Sequence, residues 1–206
     1  MPKSLPVRVK PVRISSGEQK NVIYPRVFDM RDKEMERSIN QQIIDETQGL
    51  IDQQADEMAT PIIEMDGSFE IKNNQRNVLS LLLNNYAYHY QAAHGMTYIE
   101  SLTFDLEERR QCRLSDLFKP GSNYVARLTE LVNEQIEQRD IQTFNEHVEV
   151  RPEQDFYIAD KTLVIYFQLY DITPYVFGFP MFPISVYAIM DIINEDGPLG
   201  RMAVNN

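Results

Sequence analysis

Apolar and polar residues alternate in Val7-Arg8-Val9-Lys10, and the alternation resumes at Val12-Arg13-Ile14 after Pro11. A period of two marks a strand with one buried face, and a proline inside it places the strand at an edge or a bulge. Ser15-Ser16-Gly17-Glu18 has turn chemistry and Val22 to Val27 reads as the returning strand, so a β-hairpin opens the chain. The period then changes. Met35, Ile39, Ile43, Ile44, Leu50 and Ile51 recur mostly at steps of three and four, with Arg37, Asn40, Gln41 and Glu46 between them. That spacing predicts a long amphipathic helix lying on a sheet. Asp29 stands at the expected N-cap, with Asp32 in the first turn complementing the helix dipole.

Asp66-Gly67 and Asn73-Asn74 predict turns on either side of a short strand containing Phe69 and Ile71. Val78 to Tyr90 carries the strongest β signal. Val78, Leu82, Tyr86, Tyr88 and Tyr90 share one face, and Leu79, Leu81, Leu83, Ala87 and His89 share the other. Both faces are apolar early and polar late, as in a strand running from a core out to a rim. Residues 91–95 form a loop, and Tyr98 to Leu106 returns as the next strand of an antiparallel meander.

Leu114 to Phe118 predicts a short helical turn, and Ser122 caps a helix with the stripe Tyr124, Leu128, Leu131, Val132 and Ile136. Ile141, Phe144 and Val148 permit a third short helix. Phe156-Tyr157-Ile158 and Leu163 to Phe167 form a hairpin through Asp160-Lys161, and Ile184 to Tyr187 supplies a last strand. The expected fold is α+β: antiparallel sheets with amphipathic helices packed on one face, in two small intimately packed subdomains. The first spans residues 5–90 and the second 91–190, followed by a tail, 191–206, expected to fray because Gly197, Pro198 and Gly200 interrupt it.

Charge narrows the partners. The chain has 31 acidic against 20 basic residues, a net charge of -11. Nucleic-acid binders gain affinity by releasing counterions through Lys and Arg, so a nucleic-acid role is not expected. The acid surplus favours solubility and can steer a cationic partner. Met1 to Val7 lacks the apolar core of a signal peptide and no later run has membrane-spanning length. As written, the chain reads as cytoplasmic and not membrane-inserted.

Chemistry is sparse. Cys112 is the single cysteine, which excludes an intrachain disulfide, and it reads as an inert thiol despite flanking arginines. His89 and His94 have no cysteine or His-Glu-x-x-His helix beside them, so no metal site and no cofactor is predicted. No nucleophile elbow or phosphate-cradling glycine loop occurs, and no catalytic residue is assigned. Tyrosine is the conspicuous type. Tyr86, Tyr88 and Tyr90 point one way along one strand, and Tyr170 and Tyr175 fall in an aromatic-rich loop whose neighbours Phe167 and Phe182 read as core. An aromatic ring with a hydroxyl suits both a recognition surface and a sheet rim. The candidate ligand-binding set is Tyr86, Tyr88, His89, Tyr90, His94, Tyr170, Asp171 and Tyr175.

An ordered set of motifs adds a resemblance: Tyr86-Ala87-Tyr88-His89-Tyr90, Ala93-His94-Gly95, Leu102 to Leu106, Leu114 to Phe118, Phe156 to Phe167, and Tyr170-Asp171-Ile172-Thr173-Pro174-Tyr175. Together they resemble a bacterial family of paired domains of unknown function. One such pair lies in the ectodomain of the lysozyme-sensing anti-sigma factor RsiV, and another precedes the catalytic domain of the peptidoglycan deacetylase PdaC. The resemblance implies an α+β fold, an N-terminal domain matching roughly residues 5–90, and an extracytoplasmic setting. It further implies a surface that meets a basic protein such as lysozyme or a cell-wall glycan. The leading expectation is a non-enzymatic binding or sensor-type module. The alternatives are a hydrolase or transferase acting on cell-wall material through dispersed carboxylates and His89 or His94, and a structural or assembly protein.

Overall fold

The computed structural model describes residues 5–204. The opening hairpin pairs β1 (Arg8–Ser15) with β2 (Lys20–Phe28), antiparallel, with Pro11 on the edge strand. Helix α1 (Lys33–Glu57) follows. Its cap is Asp32, whose carboxylate accepts from the amides of Glu34 and Met35. This corrects the expectation of Asp29, which sits in the left-handed region with φ 63 and pairs with Arg8 instead. The stripe Met35, Ile39, Ile43 and Leu50 is buried as its spacing required, while Ile44 is turned out.

The next strands are β3 (Ile62–Gln75), β4 (Val78–His89), β5 (Met96–Asp105) and the short β6 (Arg110–Gln111). With β1 and β2 they form one six-stranded sheet in chain order. It takes strands from both sides of the expected boundary between residues 90 and 91. All neighbours are antiparallel except β2 and β3, which run parallel over three residue pairs. Two predicted turns are corrected here. Asp66-Gly67 lies inside β3, because a Cβ on Gly67 would stand 2.6 Å from Val22 Cγ1 and only glycine lets β2 approach that closely. The hairpin turn is Arg76-Asn77, not Asn73-Asn74, with both residues at positive φ (52 and 56) as a type I′ turn requires.

The second half supplies α2 (Tyr124–Gln138), β7 (Phe156–Ala159), β8 (Thr162–Tyr166), β9 (Met181–Ser185) and α3 (Pro198–Ala203). Strands β7, β8 and β9 make a separate antiparallel sheet. Leu163 and Ile165 of β8 join Leu128 and Val132 of α2 in one core, while Val164 and Tyr166 turn the other way onto Leu82 and Ile99. The layers therefore run α1, first sheet, second sheet, α2. Each sheet has its helix on one face and the other sheet on the opposite face. Hydroxyls knit the two sheets: the Ile158 amide donates to Ser80 Oγ, which lies 2.8 Å from Thr103 Oγ1, and Tyr166 donates to Ser101 Oγ at 3.0 Å.

Three further expectations give way. Ile141 and Val148 are buried and Phe144 exposed, but the segment is irregular, not a third helix. Asn123, not Ser122, precedes α2, and the Ser122 hydroxyl is buried without a partner. The tail from Asp191 is folded as far as residue 204, with Asn205 and Asn206 of that expectation outside the described residues. Ile193 bridges to Phe118, and Leu199 and Met202 are wholly buried. Pro198, read as a breaker, sits in the first turn of α3, where its missing N–H costs nothing.

Candidate functional site

Beyond His89 the chain leaves the core and turns through Tyr90, Gln91 and Ala92, with Gln91 at φ 61. The chain comes back through Ala93-His94-Gly95 into β5. Facing this loop is the segment after β8, where Tyr170 is held at φ 68, a conformation uncommon for a bulky residue. Asp171 fixes that turn, its carboxylate accepting from the Gln168 amide at 3.1 Å.

Between the two loops the rings gather. His94 stacks on Tyr175 with centroids 4.4 Å apart, and Tyr170 flanks both, 5.5 Å from Tyr175 and 6.5 Å from His94. The Tyr170 hydroxyl lies 3.3 Å from His94 Nε2, and the Tyr175 hydroxyl donates to the Gly95 carbonyl at 3.0 Å. Tyr86 lies against Gly95, where an added Cβ would stand 2.1 Å from its ring. Burial, reinforced by Glu64, raises the Tyr86 hydroxyl above the ordinary tyrosine value, so it stays protonated as a donor. Tyr88 closes the loop from behind, donating to the Ala92 carbonyl at 2.9 Å.

Of the eight candidates, then, Tyr86, His94, Tyr170 and Tyr175 form one platform, and Tyr88 and Asp171 brace it. Two others stand apart. His89 points to the α1 side, where its two ring nitrogens lie 2.7 Å from the Thr60 carbonyl and 2.8 Å from the Gln54 carbonyl. It is buried and outside the ring stack, though it lines one small cavity with His94 and Glu57. Tyr90 is exposed and touches no other ring among the described residues.

The platform has a distinct chemical character. Exposed apolar surface continues from it along the turn Tyr175–Phe177, where Val176 is 93% exposed. Carboxylates surround it: Glu64 and Asp66 lie beside Tyr88 and Tyr86 in the β3–β4 register, and Asp171 is on the facing loop. Elsewhere Lys and Arg lie over the faces of Phe28, Tyr157, Phe182 and Tyr187. Among the described residues none covers His94, Tyr170 or Tyr175. A ring cluster with open faces and an anionic surround attracts a cation through the ring quadrupole and through charge together.

Sequence reasoning missed a second group close by. Glu100 of β5 is pushed up to about 8, by burial first and then by Asp155 and Glu46. Asp155 is itself raised by burial. Gln168 ties this region to the platform loop, donating to the Ile99 carbonyl at 2.7 Å and accepting from the Ile99 amide at 3.3 Å. The signal was present in the alternation, because Glu100 occupies the same face as Tyr98, Leu102 and Phe104. Among the described residues no group of three or more His, Cys, Asp or Glu is placed to hold a metal ion, and no helix is long and apolar enough to cross a membrane.

Comparisons with known proteins fit this architecture. Residues 19–97 match the family model described as Deacetylase PdaC, and residues 115–187 match that described as a protein of unknown function, DUF3298. No curated protein matches the chain. Among solved structures, a DUF3298 family member from Bacteroides fragilis is 15% identical with a TM-score of 0.72, covering 97% of this chain and 98% of its own. A DUF3298 family protein from Pseudomonas aeruginosa is 13% identical with a TM-score of 0.67, covering 99% of each chain. At such identities the likeness establishes a shared fold. The chain thus carries one region similar to each of these two family models, in the order that its sequence motifs resemble.

Proposed function

We propose that this protein is a non-enzymatic binding module whose platform of Tyr86, His94, Tyr170 and Tyr175 receives a cationic group of a basic protein, with lysozyme as the leading case. The observation that carries this reading is the His94–Tyr175 stack flanked by Tyr170, with no lysine or arginine over any of the three rings among the described residues. The acidic surround and the net charge of -11 favour the same partner through steering. The resemblance to the RsiV ectodomain points the same way, and with it to a setting outside the cytoplasm. A cell-wall glycan carrying amino groups would meet the same rings by stacking.

Calorimetric titration of the whole chain with lysozyme, and separately with peptidoglycan fragments, tests this at low ionic strength, where steering is strongest. Binding should weaken at least about tenfold in Tyr175→Ala and His94→Ala, the range of a well-placed aromatic contact. Absence of heat with both ligands refutes the reading. The enzymatic alternative would draw on the cavity of 180 Å³ where Glu57, His89 and His94 converge, and release of product from peptidoglycan fragments during the titration would favour it.

A further inference from the structure

Away from the platform, a cleft of 330 Å³ opens between the β1–β2 turn, the C-terminal half of α1 and the start of β3. Its walls are apolar: Val22 and Met65 are buried, Ile51 and Ile62 half-buried. The short parallel pairing of β2 with β3 sets Lys20 beside Met65, so one end of the cleft has a different character. There Ser15, Ser16 and Lys20 supply two hydroxyls and an ammonium group.

The cleft is set apart by what it lacks. Glu130, Glu134 and Glu149 line the groove beside α2, and the two cavities next to it carry Glu146 and Asp171. The cavity near His94 has Glu57. In a chain where acids outnumber bases, the cleft under the hairpin turn is the one of these five with no carboxylate and with a lysine. An apolar slot closed at one end by hydroxyls and a cation complements a chain-like ligand with an anionic head.

We propose that this cleft is a binding site for a single-chain anionic amphiphile, an unbranched acyl chain lying along Val22, Ile51, Ile62 and Met65 with its carboxylate at Lys20. The site shares no residue with the aromatic platform and does not depend on the reading of that platform. Burial of the chain supplies the affinity, at roughly 25 cal/mol for each Å² of apolar surface removed from water. The Lys20 ammonium supplies the choice of head group.

Calorimetric titration of the whole chain with decanoate, kept below its micelle concentration, tests the proposal. Saturable uptake of one equivalent is expected. Decyltrimethylammonium, with a similar tail and the opposite charge, should bind at least about tenfold more weakly, as should decanoate to Lys20→Glu. Position 55 is an exposed site on α1 that lines the cleft. Ala55→Trp should fill it and abolish uptake, with circular dichroism confirming the fold. No saturable uptake by the folded wild-type chain, undiminished uptake in folded Ala55→Trp, or equal binding of the cationic amphiphile would each overturn it. Should Ala55→Trp fail to fold, Lys20→Glu and the two head groups still decide.

Discussion

Arg201 of α3 donates to Asp105 at the end of β5, Nη2 to Oδ1 at 2.7 Å, across 96 residues of chain. The Asp105 side chain is 1% exposed, and its carboxylate also accepts from the amides of Glu107 and Glu108. Arg201 further donates to the Arg76 carbonyl, and Arg76 in turn donates to the carbonyls of Arg201, Met202 and Val204. A lone buried carboxylate is costly once its partner is removed. Arg201→Ala should therefore destabilise the protein by about 3 kcal/mol in urea denaturation, far more than loss of the exposed Arg8–Asp29 pair, worth under about 1 kcal/mol.

Glu100 gives a pH signature. Its carboxyl is raised to about 8 in the folded chain, against the ordinary 4.5 when unfolded. Between those values the folded state holds one proton more than the unfolded state, so stability falls as pH rises through that window and levels off above it. Glu100→Gln, which keeps the shape and removes the ionisation, should leave the melting temperature nearly unchanged at pH 4. It should raise it at pH 8.5, by a gain of up to a few kcal/mol, at about 1.4 kcal/mol for each unit of the shift. Thermal melts of both proteins across the range would show the two curves diverging.

Gly95 should tolerate no side chain. A Cβ would meet the Tyr86 ring at 2.1 Å, so Gly95→Ala must displace the ring or the loop. A cost of about 1–3 kcal/mol is expected, together with loss of the platform's binding. Tyr175→Phe, which only removes the hydroxyl donating to Gly95, should cost about 1 kcal/mol and leave the stack in place. Denaturation and titration of the two variants separate packing from hydrogen bonding.

Cys112 should be silent in the native state. Burial, reinforced by Asp105, pushes its thiol up to about 12, so the reactive thiolate is scarce at neutral pH despite Arg110 nearby. Ellman's reagent at pH 8 should report no fast thiol in native protein and one per chain in guanidinium chloride.

Much of this architecture was legible in the residues, and the exceptions share a cause. The α1 stripe, the two faces of β4 and the hairpin through Asp160 follow from local periodicity, which survives folding because burial enforces it. Asp66-Gly67 misled because the usual meaning of that pair, a turn, was overridden by a distant strand, with Val22 pressing on Gly67. The tail misled for the same reason: Leu199 and Met202 are held in a core assembled from α2, β8 and β9. In the site, the tyrosine run was visible but the grouping was not. Whether Tyr90 or Tyr86 joins Tyr175 depends on where β4 ends relative to a loop some 80 residues later.

Strand β4 has two clients. Leu79, Leu81 and Leu83 serve the layer under α1, while Val78, Ser80 and Leu82 serve the opposite one. Deleting one residue from it would exchange those roles at once, offering the Ser80 hydroxyl to the helix and Leu81 to the amide of Ile158. Neither half could then be repaired by the other, since each would hold the wrong half of the same ladder. The regions that match the two family models thus depend on one strand for their register.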